Sequence, residues 1–420
     1  MDKIQIDPKN SIRGHLFVPP SKSYAQRAIA LAGLAQNNIT IQRVGNNDDV
    51  LAAQRIVQSL GAEIIVEGDT VIVFREIDKT NKEDIQIDCG ESGLSTRLFS
   101  AYSLLFEQNF KIIGTGSIQQ RTMKMVIDGL RQFGKTISSN QEKLPLTISG
   151  KTKPIKLEID GSVSSQFLTG ILIVAPFLPF DTEIEIKNLK SKPYVHMTVD
   201  LLRRFGLEFK QNGVEYFYIY GNQEIYKPVE YSVEGDWSAA SFFVVAAAIG
   251  GKVQLSGLKK YSKQGDKEIV GLVEKVGAKV VWDKEELIVE KNKILAFEFD
   301  ATECPDLFPP LVVLASFATG KSVIKGVSRL IHKESNRALA LQKECAKVNV
   351  KIEIENDNMI VYGNTIKVED GTVFNAHNDH RIAMAMSLYA LISDVPFVIE
   401  GASSVNKSYP GFYTDFRALN

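Results

Sequence analysis

Apolar and polar positions along the chain repeat one theme. Residues 52–61, Ala-Ala-Gln-Arg-Ile-Val-Gln-Ser-Leu-Gly, carry apolar side chains at helical spacing and stop on a glycine. Residues 62–66 and 70–74 then alternate as two short strands around the turn Glu67-Gly68-Asp69. The same order of amphipathic helix, break and strand pair returns at 125–149, 199–220, 269–289 and 339–361. A period of about 70 residues exceeds that of solenoids, so each copy reads as a whole βα supersecondary unit of a globular α/β fold. A sixth copy is unfinished: residues 415–420 look like such a helix with no strands after it, and residues 1–18 are strands with no helix before them. The N-terminal strands are therefore expected to complete the last unit, the chain starting in one domain, crossing to a second and returning. Crossings are expected at Val18-Pro19-Pro20 and around Glu234-Gly235-Asp236, which gives a first domain of 1–19 plus 234–420 and a second of 20–233.

Composition adds limits. A chain of 420 residues with 44% hydrophobic content has material for two or three sizeable cores. The apolar runs at 171–180 and 242–249 fall short of the roughly 20 residues that span a bilayer, so they read as buried helices and no membrane is expected. The start, Met1-Asp2-Lys3-Ile4-Gln5-Ile6, alternates like a strand and lacks the apolar core of a signal peptide, leaving the cytoplasm as the expected location. Cys89, Cys304 and Cys345 are odd in number, far apart and without a CxxC pair, which indicates neither a disulfide framework nor a zinc ribbon. A formal net charge of −1 excludes a generally basic nucleic-acid binder, though not a local cationic cleft.

The cations that could form such a cleft gather at helix starts. Pro19-Pro20-Ser21-Lys22-Ser23-Tyr24-Ala25-Gln26-Arg27 fixes an extended entry, offers Ser21 or Ser23 as a cap, and adds a point charge and a planar fork suited to carboxylate or phosphate. An ordinary cap with solvent-facing cations would explain the serines equally well. Ser164, Ser165 and Gln166, before an apolar helix, offer hydroxyl, amide and backbone donors together. Gly90-Glu91-Ser92-Gly93-Leu94-Ser95-Thr96-Arg97 is a second glycine turn into a helix, where Gly93 would let a ligand approach the backbone. Asp306 stands in a proline-bracketed turn, an N-cap position by default. Lys333-Glu334-Ser335-Asn336-Arg337 is read as opening a helix with Lys333 and Arg337 on one face, alone a solvated charged surface. Asp379 of Asn378-Asp379-His380-Arg381 is expected to cap the next helix, with Arg381 in its first turn, and Lys407 looks like an isolated loop lysine. Other signals fail. Residues 315–322 have alanine for the first P-loop glycine and follow an apolar helix, Gly114-Thr115-Gly116 lacks the third glycine of a dinucleotide fingerprint, and His377 with His380 lacks a third ligand.

Taken in order, Ser21-Lys22-Ser23 with Arg27, residues 160–166 (Asp-Gly-Ser-Val-Ser-Ser-Gln), Ser191-Lys192-Pro193-Tyr194, Lys333-Glu334 with Arg337, and Asn378-Asp379-His380-Arg381 resemble the enolpyruvyl transferase family over the whole chain. The resemblance implies a two-domain fold, an inside-out α/β barrel of six βαβαββ units, three per domain, with the active site in the interdomain cleft. It implies transfer of the enolpyruvyl group of phosphoenolpyruvate to the 5-hydroxyl of shikimate 3-phosphate by a monomer, with neither metal nor organic cofactor. By motif matching, Lys22, Ser23, Arg27, Ser164, Ser165, Gln166, Ser191, Asp306, Arg329 and Lys333 would hold shikimate 3-phosphate. Lys22, Gly93, Arg121, Gln166, Arg337, Arg381 and Lys407 would hold phosphoenolpyruvate. Asp306 would accept a proton, and Glu334 with Lys22 would donate one.

The chain departs from the family pattern Gly-Asn-x-Gly-Thr-x-x-Arg at Glu91 and Leu94, and has Gln120-Arg121-Thr122 for the usual Glu-Arg-Pro. These changes flank the phosphoenolpyruvate side and predict reduced sensitivity to glyphosate, the family's phosphoenolpyruvate-competitive inhibitor. A UDP-N-acetylglucosamine enolpyruvyl transferase would place a reactive cysteine in the loop that carries Arg121, and residues 114–125 contain none. A non-catalytic relative finds support only in Glu91 and Thr122.

Overall fold

The computed structural model describes residues 2–420 apart from Asn81, Lys82, Val163, His332 and Asn364, so Met1 of the alternating start and Val163 of the 160–166 motif lie outside the described residues. The chain divides into two compact units, Met1–Pro19 with Glu234–Asn420, and Pro20–Val233.

Within Pro20–Val233, three four-stranded sheets among the described residues share one plan, a parallel strand pair extended by an antiparallel hairpin. Ile85–Asp88 runs parallel to Phe110–Ile113, which pairs antiparallel with Lys143–Ser149 and through it with Thr136–Asn140. Lys156–Asp160, Thr182–Lys187, Tyr216–Ile219 and Phe209–Asn212 repeat that order. So do Val229–Ser232, Ile39–Gln42, Thr70–Arg75 and Glu63–Glu67. The sheets bury one face: Thr182, Ile184 and Ile186 point inward while Lys187 is exposed. The helices Lys22–Ala32, Gly93–Ser100 and Gln166–Val174 are instead buried almost all round, as their near-continuous small and apolar residues require. Helices form the centre and sheets the wall.

The other unit follows the same plan. Its sheets run Lys279–Asp283, Glu286–Glu290, Gly251–Ser256, Ile12–Phe17, and Glu298–Asp300, Lys321–Lys325, Asn358–Tyr362, Lys351–Glu355, with a three-stranded sheet of Lys3–Ile6, Phe397–Glu400 and Val373–Asn375. The central helices are Trp237–Gly250, Phe308–Phe317 and His380–Ser387.

The N-terminal strands were expected to complete one unit together, and they separate. Lys3–Ile6 joins Phe397–Glu400, close in sequence to the last helix Phe412–Ala418, whereas Ile12–Phe17 runs parallel to Gly251–Ser256 in a neighbouring sheet. The plan explains this. In each sheet the parallel edge strand comes directly before a central helix, and at two of these junctions, after Ile12–Phe17 and after Val229–Ser232, the chain changes units. Ile12–Phe17 thus serves one unit and its following helix Lys22–Ala32 the other; Val229–Ser232 and Trp237–Gly250 are the reciprocal case. At Gly251 the strands approach so closely that a Cβ would lie 1.8 Å from the Ile12 carbonyl oxygen, which only glycine permits.

Candidate active site

In Pro20–Val233, polar groups collect at the starts of the central helices. Lys22 is the first residue of its helix, and its Nζ donates to Asp49 Oδ2 at 2.9 Å, from the acidic first turn of Asp48–Ser59. Ser21 occupies the cap position without a side-chain cap bond, so the anticipated serine cap is not formed there. The starts are fastened by Gln26, whose Oε1 accepts from Ser92 Oγ at 3.1 Å and Ser95 Oγ at 2.9 Å. Gln166 Oε1 accepts from Arg97 Nη1 at 3.0 Å, and the same nitrogen donates to the Gly93 carbonyl at 3.2 Å. A Cβ on Gly93 would stand 2.8 Å from Arg121 Nη1 and 3.2 Å from Arg97 Nη1, so both guanidinium groups lie beside Gly93, with Gln166 held by Arg97. Ser164 Oγ accepts from the Gln166 amide at 3.2 Å, Ser165 is buried at the cap, and Ser191 occupies the cap position of Lys192–Arg204 at a left-handed φ of 60° without a side-chain cap bond.

Arg27 corrects the reading of a ligand-facing fork. It is 1% exposed, and its guanidinium donates to Thr198 Oγ1 at 3.0 Å, the Ser23 carbonyl at 2.7 Å, Thr169 Oγ1 at 3.3 Å and the Tyr194 carbonyl at 3.4 Å. It therefore ties three helices together beneath Ser23. Burial pulls its pKa down to about 10.

The packing that holds Gln166 against Arg97 depends on Gly170, where a Cβ would lie 2.3 Å from the Leu98 carbonyl oxygen. Gly170→Ala must part the helices Gly93–Ser100 and Gln166–Val174, at a cost of roughly 1–3 kcal/mol. The thermal midpoint should fall by roughly 2–10 °C in circular dichroism, and an unchanged midpoint would show that the helices have room to separate.

The other unit is built around Asp306. It lies in the short 3-10 turn Pro305–Leu307, and Leu307 rather than Asp306 precedes the helix Phe308–Phe317, so the expected cap role is not taken. Its Oδ1 accepts from Lys333 Nζ at 3.1 Å and Arg337 Nη1 at 2.9 Å, and its Oδ2 from Arg381 Nη2 at 3.1 Å. Lys333 precedes the helix Arg337–Ala346 instead of sharing a face with Arg337, and Asn336 is the cap. Nor is Arg337 solvated: it is wholly buried, held by Asp379 Oδ2 at 2.9 Å and Glu334 Oε2 at 2.6 Å as well as by Asp306. Asp379 caps His380–Ser387, accepting from the Arg381 amide at 3.0 Å. Arg329 is half-buried in Val327–Leu330, and the Lys333 ammonium pKa is lowered chiefly by burial, with the Arg337 and Arg329 charges adding to it. Lys407 is buried, its Nζ donating to the Asn378 carbonyl at 2.8 Å.

This field separates two carboxyls. Burial pushes Asp306 up, but Arg381, Lys333 and Arg337 outweigh it and hold the group well below the ordinary carboxylate range. Asp266, buried and accepting from Ser238 Oγ, is raised to about 7 by burial first and by the Asp306 charge second. A carboxyl raised on folding stabilises the protein fully below its unfolded pKa of about 4 and loses that contribution as pH climbs through the folded value. Asp266→Asn should therefore remove on the order of 2–4 kcal/mol of stability loss between pH 5 and pH 8. Urea melts across that range would show it, and parallel curves for variant and parent would contradict it. Among the described residues no group of three His, Cys, Asp or Glu side chains could hold a metal ion, and no helix is long and apolar enough to cross a membrane.

The motif order and geometry coincide with a known family. The family model for EPSP synthase (3-phosphoshikimate 1-carboxyvinyltransferase) matches residues 6–416. The chain belongs to the EPSP synthase family. A 3-phosphoshikimate 1-carboxyvinyltransferase of Clostridium novyi (strain NT) is 36% identical over 429 residues, covering 100% of this chain and 98% of that protein. The enzyme of the same name from Clostridioides difficile (strain 630) is 34% identical over 430 residues, with the same coverage. Among solved structures, EPSP synthase from Acinetobacter baumannii superposes with a TM-score of 0.83 at 22% identity, over 100% of this chain and 98% of that one. The enolpyruvyl transferase NikO from Streptomyces tendae gives 0.77 at 16% identity, over 99% and 97%. Both share the two-domain α/β fold.

Several groups that hold this EPSP synthase family site together escaped the sequence reading. Asp49, Gln26, Arg97 and Asp266 each pair across the fold with residues distant in sequence. Asp49 carried a local signal as half of an Asp-Asp pair in the first turn of a helix, and Arg97 carried one as the arginine that closes the 90–97 motif.

Proposed function

We propose that this chain transfers the enolpyruvyl group of phosphoenolpyruvate to the 5-hydroxyl of shikimate 3-phosphate and releases phosphate. Family membership supports the reading, and one observation carries it: a partly buried carboxylate, Asp306, surrounded by Lys333, Arg337 and Arg381. Both substrates are phosphorylated carboxylates and need fixed cations. Lys22, Ser23, Arg27, Ser164, Ser165, Gln166, Ser191, Arg329 and Lys333 serve shikimate 3-phosphate, with Arg27 acting through Ser23 and Tyr194 in the arrangement seen here. Lys22, Gly93, Arg121, Gln166, Arg337, Arg381 and Lys407 serve phosphoenolpyruvate.

In the addition step the 5-hydroxyl oxygen bonds to C2 of phosphoenolpyruvate while its proton passes to Asp306 and the methylene carbon takes a proton from Glu334 or Lys22. The tetrahedral intermediate then loses a methyl proton and the C2–O bond to phosphate breaks, restoring the double bond. A carboxylate held far below its ordinary pKa is a weak base. An incoming substrate anion draws Arg337 and Arg381 away from Asp306, and the loss of those charges raises its basicity at the moment it is needed.

Phosphate release should require both substrates and should not occur with UDP-N-acetylglucosamine in place of shikimate 3-phosphate. Binding of both ligands without phosphate release would instead favour a non-catalytic relative.

The position of Glu91 supports weakened binding of competing anions. A Cβ on Gly116 would lie 2.4 Å from the Glu91 carboxyl carbon, so the acid folds over the loop that leads to Arg121. Inhibition by glyphosate against phosphoenolpyruvate should be weak, and Glu91→Asn should strengthen it about tenfold. An unchanged inhibition constant would remove Glu91 from the explanation.

A further inference from the structure

One face of the helix Arg337–Ala346 grips the loop at 375–381 in two places. At its first residue Arg337 holds Asp379, Nε to Oδ2 at 2.9 Å and Nη2 to Oδ1 at 3.2 Å. About two turns on, the fully buried Glu344 holds the other end. His377 Nε2 lies 2.7 Å from Glu344 Oε1, and Oε2 accepts from the Asn375 amide at 2.9 Å and from Lys347 Nζ at 2.6 Å. Between the two grips, His377 and Asn378 both adopt left-handed backbone, at φ 52° and 55°. Two such residues in succession are uncommon without glycine. This turn aims the Asn378 carbonyl at Lys407 Nζ, 2.8 Å away.

We propose that the Glu344–His377 pair is a positioning device for phosphoenolpyruvate: it fixes the left-handed turn whose Asn378 carbonyl locates the Lys407 ammonium. The inference rests on the reading that assigns Lys407 to that substrate. Glu344 remains an anionic anchor, because the tendency of burial to raise its pKa is outweighed by the hydrogen bonds from His377, Lys347 and the Asn375 amide. An anion at Glu344 Oε1 selects the form of His377 that carries a proton on Nε2. Neither residue touches substrate in this scheme; the loop carries the constraint to Lys407.

The test compares His377→Ala, His377→Gln, Lys407→Met and the His377→Ala/Lys407→Met double variant. Steady-state phosphate release gives KM for each substrate, and calorimetry gives the dissociation constant of phosphoenolpyruvate in the presence of shikimate 3-phosphate. His377→Ala should raise KM for phosphoenolpyruvate about tenfold. KM for shikimate 3-phosphate should stay within about twofold. His377→Gln retains an N–H donor and should recover most of the loss, and the double variant should be no worse than Lys407→Met alone. Equal rises in both KM values would overturn the proposal, as would multiplicative effects in the double variant or a lower thermal midpoint with both KM values unchanged. If the parent binds both substrates without releasing phosphate, the functional reading fails, while the dissociation constants still decide the positioning claim. A parent that binds no phosphoenolpyruvate removes both.

Discussion

With both substrates present, Asp306→Ala should release phosphate at about one thousandth of the parent rate, the loss expected when a positioned base is removed. The carboxylate also organises its surroundings. Lys333, Arg337 and Arg381 all donate to it, so deletion leaves three cations facing one another. Breaking a buried pair by removing one partner costs roughly 3–5 kcal/mol. The cost here should fall near the lower end, because Arg337 keeps Asp379 and Glu334. Asp306→Asn separates these effects by preserving volume and one acceptor: its rate should remain as low as that of the alanine variant while part of the stability returns. Linkage gives a further check. A carboxyl lowered on folding stabilises the protein above its unfolded pKa of about 4 and loses that contribution as pH falls through the folded value, so the variant should show a flatter stability profile below about pH 4. A rate within tenfold of the parent would exclude Asp306 as the proton acceptor.

The larger loss of stability is expected at Asp379. Asp379 and Arg337 are both fully buried, and the carboxylate also accepts from Ser335 Oγ and the Arg381 amide. Asp379→Ala strands part of a buried guanidinium and removes a helix cap, for roughly 4–6 kcal/mol combined. Equilibrium denaturation should report that loss. The Asp379→Leu/Arg337→Leu double variant should be more stable than Asp379→Leu alone, because it leaves no uncompensated charge from this pair. A cost below about 1 kcal/mol for Asp379→Ala would mean that Glu334 and Asp306 already suffice to neutralise Arg337.

The fold was legible where local chemistry repeats. The glycine after most of the amphipathic helices, replaced by Asn349 in one copy, and the alternating hairpin that follows are local signals, and Glu63–Glu67 with Thr70–Arg75 fell within one residue of the strands read at 62–66 and 70–74. Distant pairing was not legible. Nothing near Ile12 in sequence says that its partner is Gly251, because edge strands of both sheets show the same alternation. The same limit applies to the site. Arg337 looked solvated because its neutralising acids, Asp306 and Asp379, lie 31 and 42 residues away. Asp306 looked like a cap because its flanking prolines mark a helix entrance, whichever residue ends up capping it. Motif matching pointed to Arg337 and Asp306 where local physics did not, but it gave no indication of Glu344 and His377, which pair with each other 33 residues apart.

The path of the chain also sets an order of events during synthesis. Everything needed to close Pro20–Val233 has been made once Val229–Ser232 can pair with Ile39–Gln42. Ile12–Phe17, made earlier, has no sheet partner until Gly251–Ser256 emerges, and Lys3–Ile6 waits for Phe397–Glu400. At ribosomal speeds of about 5–20 residues per second, the first of these strands stays unpaired for roughly 10–50 s. Residues 3–17, made before Pro20–Val233, are thus among the last to acquire their sheet partners, and they spend that interval available to chaperones or to other nascent chains.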